Sequence, residues 1–106
     1  DCVWPTRLAR HGMVITRQGN MAIRNLPFAR DFTPIEEDCT CYACQNFSRG
    51  YIRHLLKANE VLGIRLTTIH NIAFLTRLMQ EIRDAIKINR LLEYSRDFLR
   101  IFGTEK

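Results

Sequence analysis

Residues 37–56 read EDCTCYACQNFSRGYIRHLL, with Cys39, Cys41 and Cys44 in a C-x-C-x2-C pattern directly ahead of a run of helical periodicity. Thiols this close in a loop converge on one centre without help from long-range folding. Zinc is the natural occupant, because it takes four ligands in a tetrahedron and favours thiolate and imidazole. Iron–sulfur clusters also use cysteine, but their usual frameworks need four cysteines at other spacings. A disulfide framework ranks below zinc in a chain that otherwise reads as cytosolic.

Three cysteines leave a tetrahedron one ligand short, and the candidates are Cys2, His11, His54 and His70. His54 lies seven positions beyond Phe47 on the expected helix and would point along its side instead of back to the loop. His70 is expected in the first turn of the next helix, where an antiparallel helix pair would bring it against the cysteines. The expected set is therefore Cys39, Cys41, Cys44 and His70. Four protein ligands leave no open position for water or substrate, which makes the zinc structural.

Outward from the cluster, Met13–Arg24 reads MVITRQGNMAIR, two β-prone runs around Gln18, Gly19 and Asn20, which suits a hairpin. Downstream, Phe47, Tyr51, Ile52, Leu55 and Leu56 have the period of one helix face, predicting a helix over 47–62 that stops near Gly63. IRLTT then reads as a short extended link, with Thr68 as N-cap of a helix carried by Ile72, Leu75, Leu78, Met79, Ile82 and Ile86 to about Lys87. A last helix over 91–102 ends at Gly103.

The 106 residues are 46% hydrophobic and 25% charged, enough for one domain with a modest core. No uninterrupted apolar run reaches the ~18 residues of a spanning helix, and no signal-peptide pattern is present, so the expectation is a soluble, cytoplasmic protein. The chain starts at Asp1 and runs at once into the apolar DCVWPTRLAR, which reads as a piece of something longer. Its net charge of +5 comes mostly from arginine, since only Lys57, Lys87 and Lys106 are lysines among 16 basic residues. Arginine favours bidentate contact with phosphate. Nucleic acid is a reasonable partner, against the plainer alternative of solvated helix faces for Arg77, Arg83, Arg90, Arg96 and Arg100.

The ordered set DCVWPTR, ARHG, GN, AIRN, DF, PI, the unbroken EDCTCYACQNFSRGYIRHLLKANEVLGIRL and TIHN resembles the C-terminal part of the tRNA-guanine transglycosylase family, the enzymes of queuosine biosynthesis. The likeness runs from Asp1 to at least Phe102. It implies a TIM-barrel enzyme with an inserted zinc subdomain, whose ligands fall on Cys39, Cys41, Cys44 and His70. It further implies that Asp1 is the nucleophile that attacks ribose C1′ of the wobble guanosine, and that Arg7 and Arg10, on the following loop, contact the anticodon loop. The incoming base is a 7-deazaguanine, preQ1 or queuine; KANEVLG and AIRN look closer to bacterial members, which suggests preQ1. Enzymes of this family commonly act as homodimers, making the aromatic stripe Phe47, Tyr51 and His54 an interface candidate.

The resulting map is an α+β segment. Residues 1–10 would end a barrel strand and form the active-site loop, 11–66 would form the zinc subdomain, and 67–106 would be helices packed on the barrel. The second catalytic aspartate and the guanine pocket of the family lie upstream of this chain, so the segment alone is expected to be inactive. The rival reading is a non-catalytic, zinc-stabilised RNA-binding or dimerisation module.

Overall fold

The computed structural model describes residues 4–102. In order these form α1 (Trp4–Arg10), β1 (Met13–Thr16), β2 (Gly19–Ala22), a 3-10 turn at Leu26–Phe28, α2 (Tyr42–Asn46), α3 (Arg49–Lys57), α4 (Val61–Lys87) and α5 (Leu91–Phe102). The single sheet among them is the antiparallel pair β1–β2, with Val14 opposite Met21 and Thr16 opposite Gly19. Its turn is Arg17–Gln18, one step earlier than the sequence suggests. Gly19 follows with φ of +118°, a conformation glycine adopts without a Cβ penalty.

Three sequence expectations give way here. Trp4–Arg10 is a helix, so Arg7 and Arg10 stand exposed in the last turn of α1 and not on a loop. Cations there also complement the carbonyl end of the helix dipole. Next, the helix after the cysteines stops at Lys57, well before Gly63. Asn59 has φ of +59°, its N–H bonds Leu56 O at 3.2 Å, and the Glu60 N–H bonds Leu55 O at 2.9 Å. Those two bonds are a Schellman motif with Asn supplying the left-handed residue. Asn89 repeats it after α4, with φ of +57° and bonds from Asn89 and Arg90 to Ile86 and Ala85.

The third correction is the IRLTT link, which lies inside α4, as does the 66/67 boundary drawn from it. Thr68 is no cap: its hydroxyl donates to Ile64 O, and that of Thr67 to Gly63 O, both at 2.8 Å. These bonds satisfy the hydroxyls within the helix, while Leu66 and Thr67 are fully buried. Packing thus overrides the weak β preference of the segment. Gly63 serves close approach instead of termination, since a Cβ there would lie 3.0 Å from Leu55 Cβ and from Leu56 N.

Helix α4 is the hub, contacting α1, β1, α2, α3 and α5. Its 27 residues span about 40 Å at ~1.5 Å per residue. Around its first half lies the core of Val14, Ile23, Ile35, Ile52, Leu55, Leu56 and Leu66, continuous with Cys39 and Cys44. The irregular stretch between the 3-10 turn and the cysteines is fastened to α3 by Arg49, which donates to Pro34 O, Ile35 O and Asp31 Oδ2 at 3.0–3.1 Å. Gly50 lets that loop cross the helix, because a Cβ would meet three of its carbonyl oxygens at 3.0–3.3 Å.

Candidate metal centre

The C-x2-C half of the motif is built on one helical turn. Cys41 is the N-cap of α2, with extended φ and ψ of −67° and 162°, and its sulfur accepts the Cys44 N–H at 3.4 Å. Both sulfurs therefore face the same side of a helix start, where backbone dipoles favour negative charge. Cys39 precedes them on a turn closed by its N–H to Glu36 O, and its sulfur accepts the Cys41 N–H at 3.5 Å.

His70 comes from the third turn of α4, not the first, yet it reaches the cysteines as expected. Its Nδ1 lies 3.7, 3.8 and 3.3 Å from the sulfurs of Cys39, Cys41 and Cys44. All four ligand atoms fall within 4.8 Å of one another. A tetrahedron with Zn–S of ~2.3 Å and Zn–N of ~2.0–2.1 Å has N···S edges of about 3.6 Å, so the four are spaced to hold one ion. His54 and His11 are exposed and stand outside the cluster; Cys2 lies outside the described residues.

The far side of the ring decides which nitrogen is free. His70 Nε2 donates to Ile15 O at 2.8 Å, which leaves the Nδ1 lone pair directed at the sulfurs. The Glu36 carboxylate stands 3.8 Å from Nε2 and is itself held by the Arg17 N–H at 2.9 Å and Arg77 at 3.2 Å. Arg77, expected on a solvated face, is instead half-buried between Glu36 and the Phe74 ring. Sequence reasoning placed neither Glu36 nor Arg77 at the centre, because the Glu36–Arg77 and Glu36–His70 contacts each span more than 30 positions.

Left to themselves the three thiols do not ionise alike. Cys41 is pushed well down, chiefly by the hydrogen bond from the Cys44 thiol. Cys44 moves up because it gives that bond and is buried, and burial also raises Cys39. One thiolate forms readily and suppresses the other two. Three thiolates crowded together, two of them buried, need a cation among them, and a closed Cys3His set is the chemistry of structural zinc.

The profile of the queuine tRNA-ribosyltransferase family matches residues 1–104. The chain belongs to that family. It is 61% identical over 94% of its length to the queuine tRNA-ribosyltransferase of Pelotomaculum thermopropionicum, of which it covers 27%. The enzymes of that name from Desulforamulus reducens and Streptococcus pyogenes are 60% and 56% identical, over 97% and 100% of the chain and 28% of each relative. The chain thus spans a little over a quarter of the length of these curated relatives. Among the described residues, the α+β arrangement with a two-stranded sheet and a Cys3His cluster fits the zinc subdomain of the family, with the four ligands able to hold one ion. No helix among them is both long and apolar enough to cross a membrane.

The other expected site residues are not among the four candidate ligands. Asp1 is outside the described residues. Phe47 is the C-cap of α2 in extended conformation and not on α3, so Phe47, Tyr51 and His54 form no single helical stripe. The Phe47 and Tyr51 rings nevertheless stack at 5.4 Å, with Tyr42 edge-on to Phe47 at 5.7 Å.

Proposed function

We propose that this chain is the C-terminal part of a tRNA-guanine transglycosylase that replaces the wobble guanine of tRNA, at anticodon position 34, by a 7-deazaguanine, with preQ1 as the incoming base. What carries the reading is the family match over residues 1–104, which includes Asp1, both arginines and all four candidate ligands.

In this reading the Asp1 carboxylate attacks ribose C1′ from the face opposite the departing guanine. The transition state has oxocarbenium character, which an adjacent carboxylate stabilises and then captures as a glycosyl ester. Attack by the incoming base at the same carbon breaks the ester and frees Asp1. Arg7 and Arg10, three positions apart on α1 and both exposed, hold phosphate or a base edge of the anticodon loop. Cys39, Cys41, Cys44 and His70 hold a zinc ion, which supplies a cross-link between the loop before α2 and the middle of α4.

The remaining barrel lies upstream in the parent protein, and the C-terminal helices pack against it. In support, Ile72, Met79 and Ile86 recur every seven residues on α4 and are 46%, 50% and 54% exposed, an apolar seam with no cover among the described residues. The segment by itself is inactive, and the whole enzyme is cytoplasmic and homodimeric. The dimer contact involves Phe47, Tyr51 and His54; Tyr51 is 42% exposed beside the open face of Phe32 and Tyr42, at 83% and 59%.

The deciding experiment is covalent trapping of tRNA on the full-length protein carrying Asp1→Asn. Loss of the adduct with tRNA binding retained supports the nucleophile, whereas an undiminished adduct refutes it. Tyr51→Ala should shift the sedimentation profile toward monomer; an unchanged profile counts against the interface.

A further inference from the structure

We propose that Asn71 is a positioning residue that locks helix α1, which begins three residues after Asp1, to the metal centre. The activity half of this inference rests on the transglycosylase reading above; the structural half does not.

Strand β1 bonds β2 through alternate residues. Gly12 O accepts the Ile23 N–H at 3.0 Å, and by alternation Val14 and Thr16 continue the ladder. The backbone groups of Met13 and Ile15 therefore face away from β2, toward α4. Two consecutive side chains of α4 meet them. His70 takes the Ile15 carbonyl through Nε2 at 2.8 Å. Asn71 takes two more of them and one group of α1: its Oδ1 accepts the Ile15 N–H at 2.9 Å, and its Nδ2 donates to Met13 O at 3.0 Å and to Pro5 O, in α1, at 3.2 Å.

Both side chains are 0% exposed. Neighbours on a helix leave it about 100° apart, so this one turn sends His70 to the cysteines and Asn71 to α1. Fixing His70 in the metal centre fixes the azimuth of Asn71. The amide is specifically required, because the site needs two donors and one acceptor at the end of a short stem. A carboxylate would set negative charge against two carbonyls, and a methyl group would leave the buried Ile15 N–H without its acceptor and the Met13 and Pro5 carbonyls without this donor.

Helix α1 has seven residues, too few to hold its shape or direction unaided. It rests on α4 through buried Pro5 and Ala9, and packing of small side chains permits sliding. A hydrogen bond to the Pro5 carbonyl sets position along that contact. Arg7 and Arg10 follow on the same short helix, so its placement fixes theirs.

The test uses the zinc-loaded full-length protein with Asn71→Ala and the near-isosteric Asn71→Asp, which keeps an acceptor for the Ile15 N–H. Hydrogen–deuterium exchange should quicken at least ~10-fold over residues 4–10 while 41–46 stay protected and zinc stays at one per chain. In single turnover, the rate constant for the covalent tRNA adduct should fall at least ~10-fold with the reacting fraction of protein unchanged, since misplacement of about 1 Å can cost that much or more. A falling fraction at an unchanged rate constant is the result of a general folding role and overturns the proposal. So does zinc loss in both variants, or unaltered exchange in α1. Should the unsubstituted enzyme form no adduct, the transglycosylase reading fails and the exchange measurement alone decides the clamp.

Discussion

His70→Ala separates the ligand role of this side chain from its packing role. In the metal-free protein, the substitution leaves the Ile15 carbonyl without its buried donor, worth about 1–3 kcal/mol. It also opens a cavity where a fully buried ring stood, and large-to-small core changes of this size cost about 2–5 kcal/mol. The two together predict a loss of at least about 3 kcal/mol with no metal involved. The metal contribution adds through linkage. Losing an outer partner of a ligand already weakens affinity by about 10–100-fold, so loss of the ligand itself should reach the upper figure. At fixed free zinc above both dissociation constants, a ~100-fold weaker affinity removes about 2.7 kcal/mol of zinc-dependent stability.

Denaturant unfolding of wild type and variant, each at buffered free zinc and in excess chelator, gives the four values needed. The increment due to zinc should be smaller in the variant by about 2.7 kcal/mol or more. Equal increments would refute the assignment of His70 as a ligand. Equal stabilities in chelator would refute the packing estimate. If chelator unfolds even the wild type, as happens in small zinc domains, competition against a chromophoric chelator yields the affinity ratio directly.

Two further outcomes follow from the loop and the helix ends. Asp31 is held below the usual carboxylate range by the Thr33 hydroxyl first and by Arg49 in smaller part. A depressed folded value means stability that is present above the unfolded pKa, about 3.9, and lost as pH falls through the lower folded value. The stability gap between wild type and Asp31→Asn, measured in chelator, should therefore be largest near neutrality and shrink below about pH 4; a gap independent of pH contradicts the pairing. Asn59→Val, at φ of +59°, should cost about 1–2 kcal/mol in urea unfolding, and Asn59→Gly should not destabilise. Equal effects of the two substitutions would count against the left-handed cap.

Cys39, Cys41, Cys44 and His70 were legible in the sequence because zinc constrains residue type and number more than it constrains the fold. The hairpin around Gly19 and the last helix, Leu91–Phe102, were legible too, since a turn glycine and an amphipathic period are local signals. Arg49 and Arg53 illustrate the limit. By composition they suggest a basic surface, but Arg49 is spent on the loop at Asp31–Ile35 and Arg53 on the carbonyls of Arg24 and Asn25. Their partners lie 14–29 positions away, and no local pattern announces them.

By itself, then, the sequence determined which atoms could meet at the metal and which family the motifs resemble. Tertiary structure alone decided that α4 runs unbroken through Thr67 and Thr68, and that α1 is a helix. The physical reason is the same in each case. Buried backbone groups must be paired, and whether Asn71 takes up the outward groups of β1 depends on what packs against it and not on its neighbours in the chain.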